Sequence, residues 1–223
     1  MTGALVAVET DGDDGVATLT LRRPEKKNAL SIALRDQMSD ALDGLAVDER
    51  VRTVVVTGDG DAFSAGFDLD EFTQPELADS LWASSDRWHR TILEFPLPTV
   101  AAVNGLAYGG GFDLAVMCDL RVAATTARFA HPEHGFSQVV YGPLHDLVGG
   151  AVARDLALTG RRIDADEAFR LGLVRAVVPL ADLLTEARAV ASEVALASRE
   201  VLLPMVQKIR RRAGIVPGAT LDL

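Results

Sequence analysis

Three consecutive glycines, Gly109, Gly110 and Gly111, stand between two apolar runs, and that juncture limits what this chain can fold into more than any other stretch. The run before them, residues 100–103, follows Pro98, has the length of a buried strand and ends at the turn pair Asn104-Gly105. The run after them, residues 112–118, has the apolar density of a buried helix. A helix opening this way has first amides with no partner inside the helix. Lacking Cβ atoms, the glycines let another group approach those amides, at the positive end of the helix dipole, where an oxygen carrying or gaining negative charge is favoured. Tight packing of helix on strand is the commoner use of such a run. Asp113, in the first turn, is correspondingly either a solvated acid that complements the dipole or a carboxylate directed at whatever the glycines surround.

The rest of the chain supports an α/β reading. With 223 residues, 48% of them hydrophobic, it is long enough to bury one full core, and a single domain over residues 1–223 is expected. Residues 5–8 and 16–21 are β-prone runs flanking Asp11-Gly-Asp-Asp-Gly, an opening hairpin. From Ser31, a candidate N-cap, Leu34, Met38, Ala41, Leu42 and Leu45 repeat at helical spacing, and a β-branched strand over residues 51–56 follows. Strand, helix and strand in that order favour parallel pairing. The glycine-rich residues 58–69 then form a loop at the strand's carboxyl end, the edge where open α/β sheets hold ligands.

A helix is expected over residues 74–95, with Leu77, Leu81, Trp88 and Ile92 on one face and Pro96 and Pro98 ending it. Residues 120–123 read as a strand, 147–158 as a helix, and Asp164 with Glu167 as the cap of another. A strand over residues 174–178 precedes a long helix over 181–203 that Pro204 interrupts, with a further helix over 205–212.

Charge and cysteine usage narrow the function. A net charge of −10 argues against general affinity for nucleic acid or an anionic membrane, because both need clustered Lys and Arg. Positive charge gathers locally in Glu25-Lys26-Lys27-Asn28, a candidate phosphate contact. Cys118, the one cysteine, permits no intrachain disulfide. No apolar run approaches the length of a membrane span and no signal peptide is indicated, so a soluble cytoplasmic protein is expected. His131 and His134 bracket Glu133, but Pro132 between them spoils helical ligand geometry and no further Cys/His cluster completes a set, so no metal is expected.

Phe63-Ser-Ala-Gly-Phe-Asp-Leu, followed by Ala102-Val-Asn-Gly-Leu-Ala-Tyr-Gly-Gly-Gly-Phe-Asp-Leu-Ala, resembles the crotonase superfamily, the enoyl-CoA hydratase/isomerase family. The resemblance runs over roughly residues 4–213 and takes in Arg22-Arg23-Pro-Glu-Lys-Lys-Asn-Ala-Leu and Leu158-Thr-Gly-Arg-Arg-Ile. It implies a crotonase (ClpP-like) fold of repeated ββα units, with a core over about residues 1–178 and a shortened C-terminal helical region over about 179–213. It also implies an acyl-CoA thioester as substrate, with CoA part of that substrate and no separate cofactor. The backbone amides of Phe67 and Gly110 match the family's oxyanion hole, where donors already aimed at a developing enolate oxygen need not reorganise. Phe129-Ala-His-Pro-Glu133 matches the segment with the principal acid/base carboxylate, so Glu133 and Asp113 form the expected catalytic pair. Lys26, Lys27, Ala29, Ala65, Asp68 and Leu69 would lie along the CoA.

In relatives, the segment matching residues 74–95 walls the acyl pocket, which makes Trp82 and Trp88 candidates to limit acyl size, beside plain core packing. Two features depart from the family pattern. Asp113 stands where many hydratases carry Glu, one methylene longer, and residues 136–145 replace the usual glycine-rich segment, with Tyr141 and His145 as candidate lining. The implied activity is hydration of a 2-enoyl-CoA in fatty-acid or related acyl-CoA metabolism. The alternatives are an isomerase using mainly Glu133, a thioester hydrolase, or an acyl-CoA-binding protein without turnover. Relatives of this kind form trimers or dimers of trimers, so a homo-oligomer is expected.

Overall fold

The computed structural model describes residues 3–10, 14–135 and 137–213; the hairpin turn at residues 11–13 and Phe136 lie outside them. Strands β1 (Val6–Thr10) and β2 (Val16–Leu21) pair antiparallel, with Val6 opposite Leu21. Helix α1 (Ile32–Val47) starts at Ser31, whose hydroxyl oxygen accepts the Leu34 N–H at 3.3 Å. Strand β3 (Thr53–Gly58) lies parallel to β2. It begins two residues later than the β-branched pattern predicts, because the Val51 N–H is tied back to the Asp48 carbonyl at 3.0 Å.

From β3 onward one pattern recurs: a long strand, a short strand in a second sheet, then helix. Strand β3 is followed by β4 (Ala62–Ser64) and helices α2 (Leu69–Phe72) and α3 (Ala78–Glu94). Strand β5 (Thr99–Val103) leads through β6 (Leu106–Tyr108) into α4 (Gly110–Met117). Strand β7 (Leu120–Ala124) leads through β8 (Arg128–Ala130) to α5 (Gly142–Thr159). The six-stranded sheet has the order β1-β2-β3-β5-β7, with β10 (Ala176–Val178) at its far edge. The smaller sheet runs β4-β6-β8, with the two-residue β9 (Ile163–Asp164) at its edge and α6 (Ala165–Arg170) following. This is the repeated ββα architecture of the crotonase fold.

Neither β4 nor β6 is visible in the sequence pattern, which reads as loop and turn there. Three residues each are too few to show a period, and parallel pairing of β4 with β6 and of β6 with β8 is what makes them strands.

The centre of the large sheet is covered on both faces, so β5 is buried throughout. Alternation sorts its side chains. Ala101 and Val103 pack with Phe112, Leu114 and Phe129, whereas Val100 and Ala102 face helix α7 (Leu183–Ala195) through Ala187 and Val190.

The C-terminal helices correct the sequence reading. The break falls at residues 196–198, and Ser198, in extended conformation, starts α8 (Arg199–Arg212), which continues through Pro204. Pro204 has no N–H to give the Glu200 carbonyl one turn back, and both residues are exposed, where the missing bond costs least. Helix α5 likewise starts at Gly142, earlier than its periodicity suggests, and turns at Gly149 (φ 75°). Among the described residues no helix is long and apolar enough to cross a membrane.

Candidate active site

The floor of the site is a backbone junction. Leu30 pairs with the chain around Phe67: its N–H donates to the Gly66 carbonyl at 2.8 Å and its carbonyl accepts from the Asp68 N–H at 3.4 Å. In such a parallel bridge the N–H of the middle residue, Phe67, points away from Leu30. Gly66 has φ 89°, and a Cβ there would lie 2.6 Å from the Tyr108 carbonyl and 3.1 Å from the Gly110 nitrogen. The two predicted amide segments therefore lie against each other. Gly109 caps α4 with φ 51°, and its carbonyl receives the N–H groups of Phe112 (2.7 Å) and Asp113 (2.9 Å). The amides of Gly110 and Gly111 precede that first bond and have no helix carbonyl to reach.

Beside this junction the structure assembles Asp113, His131 and Glu133, with one donor atom from each within 4.8 Å of the others. Asp113 projects from the first turn of α4, His131 follows β8, and Glu133 sits on a short 3-10 turn, Pro132–Gly135. The His131 Nε2 is 2.9 Å from Asp113 Oδ1, and both residues are buried, 1% and 5% exposed. His131 Nδ1 is buried with no hydrogen-bond partner among the described residues. A hydrogen on Nδ1 would be an orphan donor, so the network assigns it to Nε2, which donates to Asp113. The other Asp113 oxygen is left to accept. These three residues are also the group that could hold a cation, but the Nε2–Oδ1 hydrogen bond engages two of the donor atoms with each other.

Glu133 completes the arrangement. Its carboxylate oxygens lie 3.0 and 3.1 Å from where a Gly109 side chain would begin, so the glycine makes room for the acid. Burial raises the Glu133 pKa above the ordinary glutamate range and the neighbouring Asp113 adds to this, against its own backbone N–H, His131 and His134. A carboxyl that keeps its proton longer than usual is suited to delivering one.

A cavity of about 280 Å³ opens at Asp113, bounded by Phe67, Phe72, Trp82, Ser85 and His89 on one side and residues 137–140 on the other. Of the two tryptophans, Trp82 borders it and is 57% exposed, whereas Trp88 is fully buried and donates to Met38 Sδ at 3.3 Å. Tyr141 and His145 pack on each other, 5.6 Å between ring centroids, and do not border this cavity. Ser85 and His89 are the site residues that reading the sequence missed. The signal was there, since residues 82, 85 and 89 share a helical stripe, but polar residues in an amphipathic helix ordinarily face solvent.

The residues expected along CoA do come together. Loop 23–30 and the segment 64–69 are laced by the Ala65 N–H on the Lys27 carbonyl (2.9 Å) and by Arg23 Nη1, which donates to the Ala29 carbonyl (3.0 Å) and to Asp68 Oδ2 (2.6 Å). Asp68 also caps α2, so its carboxylate holds the loop. Lys26 is exposed and pairs with Asp70 at 2.9 Å, Lys27 is exposed in a left-handed turn, and Leu69 is exposed beside them.

With that geometry in place, comparison with known proteins gives a consistent answer. The family model described as enoyl-CoA hydratase/isomerase matches residues 11–216, and the chain belongs to that family. It is 41% identical over 202 residues to a probable enoyl-CoA hydratase of Mycobacterium tuberculosis, covering 87% of this chain and 76% of that one. Among solved structures it is similar to an enoyl-CoA hydratase from Bacillus anthracis, with a TM-score of 0.88 and 30% identity over 98% of this chain and 87% of that one. It is also similar to a monofunctional enoyl-CoA isomerase from M. smegmatis, with a TM-score of 0.82 and 30% identity over 96% of this chain and 95% of that one.

Proposed function

We propose that the protein is an enoyl-CoA hydratase that adds water across the double bond of a 2-enoyl-CoA. The observation that carries this is the meeting of Asp113 and Glu133 beside the Gly66–Gly110 junction, with Asp113 and Phe67 bordering one cavity. In this reading the thioester oxygen accepts from the Phe67 and Gly110 amides. Asp113, oriented by His131, takes a proton from water as the water oxygen bonds to Cβ; the double-bond electrons move onto the thioester oxygen as an enolate. The Glu133 carboxyl then gives its proton to Cα as the enolate collapses, and the carboxyls exchange protons with solvent before the next turnover. Fixed amides suit this step because charge grows on one oxygen, and one such donor is worth roughly 10² to 10³ in rate.

Lys26 and Lys27 supply local positive charge for the CoA phosphates on an otherwise acidic chain, with Ala29, Ala65, Asp68 and Leu69 along the nucleotide's path. The reading extends to a cytoplasmic homo-oligomer, a trimer or dimer of trimers, working in fatty-acid or related acyl-CoA metabolism.

One observation favours isomerisation as a second reading. Asp113 has the shorter acidic side chain and is engaged by His131, while the Glu133 carboxylate lies against the open face of Gly109. The test is to incubate the protein with 2-enoyl-CoA and 3-enoyl-CoA thioesters and follow products by mass and chromatography. A thioester heavier by one water, lost in both Glu133→Gln and Asp113→Asn, supports hydration. An unchanged mass with a moved double bond, lost only in Glu133→Gln, replaces it with isomerisation, and release of free CoA replaces both with hydrolysis.

A further inference from the structure

We infer that the α3 wall of the cavity is a subsite for a hydroxyl group carried on the acyl chain, with His89 accepting a hydrogen bond from it and Ser85 donating one to it. This rests on the reading of the cavity as the acyl site. Leu81, Trp88 and Ile92 turn one stripe of α3 into the core, and Trp82, Ser85 and His89 turn the adjacent stripe to the cavity. His89 Nδ1 lies 2.9 Å from the Ser85 carbonyl, a contact that only an N–H makes favourable, so the ring hydrogen sits on Nδ1. Burial is the main cause that lowers the His89 pKa, so the ring stays neutral near neutral pH and Nε2 keeps its lone pair. The ring is held in place by stacking on Phe67, 6.3 Å between centroids at 29°, and by an edge contact with Trp88 at 4.7 Å.

Ser85 Oγ is 3.4 Å from the same Nδ1 and shares its hydrogen as an acceptor, leaving its own hydrogen to donate. Both side chains are largely buried, 6% and 8% exposed. The wall thus offers one acceptor and one donor side by side, next to Phe67, Phe72 and Trp82, and an alcohol supplies both complements. A carboxylate on the acyl chain does not fit: among the described residues the cavity is bordered by Asp113 and by no Lys or Arg. A plain hydrocarbon leaves both polar groups unpaired.

The experiment compares kcat/KM for straight-chain 2-enoyl-CoA thioesters of graded length, each with and without a terminal hydroxyl, in the unaltered protein, His89→Phe and Ser85→Ala. We expect at least one length at which the hydroxylated member leads its plain partner by about tenfold or more. That ratio falls to about one in His89→Phe, within-variant ratios cancelling any general loss, and to an intermediate value in Ser85→Ala. A ratio unchanged in His89→Phe, or plain chains preferred at every length, overturns the subsite and leaves the hydratase reading intact. If no thioester turns over, the hydratase reading fails for this set. The subsite is then judged by calorimetric affinity for saturated acyl-CoA with and without the hydroxyl, where equal affinities overturn it.

Discussion

The floor of the site is a backbone junction and the α3 wall of the neighbouring cavity is made of side chains, and the two respond to substitution in opposite ways. At the floor, Gly66 and Gly109 hold left-handed conformations with a neighbouring carbonyl or carboxylate where a Cβ would go. Adding one methyl group there displaces what it meets. Along the wall, Trp82, Ser85 and His89 project into space they share with the cavity, so a changed side chain alters fit before it alters architecture. A site whose chemistry depends on fixed amides and whose selectivity depends on exchangeable side chains can vary its substrate without rebuilding its reaction.

The sharpest way to break that contrast is Gly109→Ala. The new methyl would meet Glu133 Oε2 at about 3.0 Å in a strained backbone, so loss of both the amide geometry and the acid is expected, about 10³-fold or more in kcat/KM with circular dichroism retained. Near-normal activity would mean that the floor is not where charge is stabilised. Next in size is Glu133→Gln, which keeps the shape and removes the transferable proton; a fall of about 10²- to 10⁴-fold in kcat is expected, with KM little changed.

His131→Leu separates the carboxylates. It leaves Asp113 buried without its donor, and a loss of about tenfold to a hundredfold in hydration is expected, with His131→Gln recovering most of it through an amide N–H. If leucine and glutamine behave alike, His131 does not orient Asp113. The smallest effect is on stability. Glu133 ionises later in the folded protein than in the unfolded chain, so the unfolded state holds fewer protons across the interval between the two pKa values and stability falls as pH rises through it. Urea midpoints measured from below the ordinary glutamate pKa to neutral pH should show that decline, and Glu133→Gln should flatten it.

How far the site could be read in advance differs between these regions for a physical reason. The floor was legible because glycines are conspicuous in sequence: Gly66 and the run Gly109, Gly110 and Gly111 mark positions where backbone must approach backbone, and the structure places them against each other. The wall was not, because Ser85 and His89 look like the polar face of any amphipathic helix until something packs opposite them. The His131–Asp113 contact joins residues 18 positions apart on different elements, and no local pattern announces it.

By itself the sequence determined the continuous apolar run that buries β5, the capping of α1 by Ser31 and of α6 by Asp164, and the positions where no side chain is tolerated, because each follows from local geometry and composition along the chain. Only the tertiary structure decided that β4 and β6 are strands, that Pro204 lies inside a helix, which tryptophan borders the cavity, and that burial raises the Glu133 pKa. Those outcomes depend on which partner or how much water faces a residue across space. Chain order carries that information only through the complete fold.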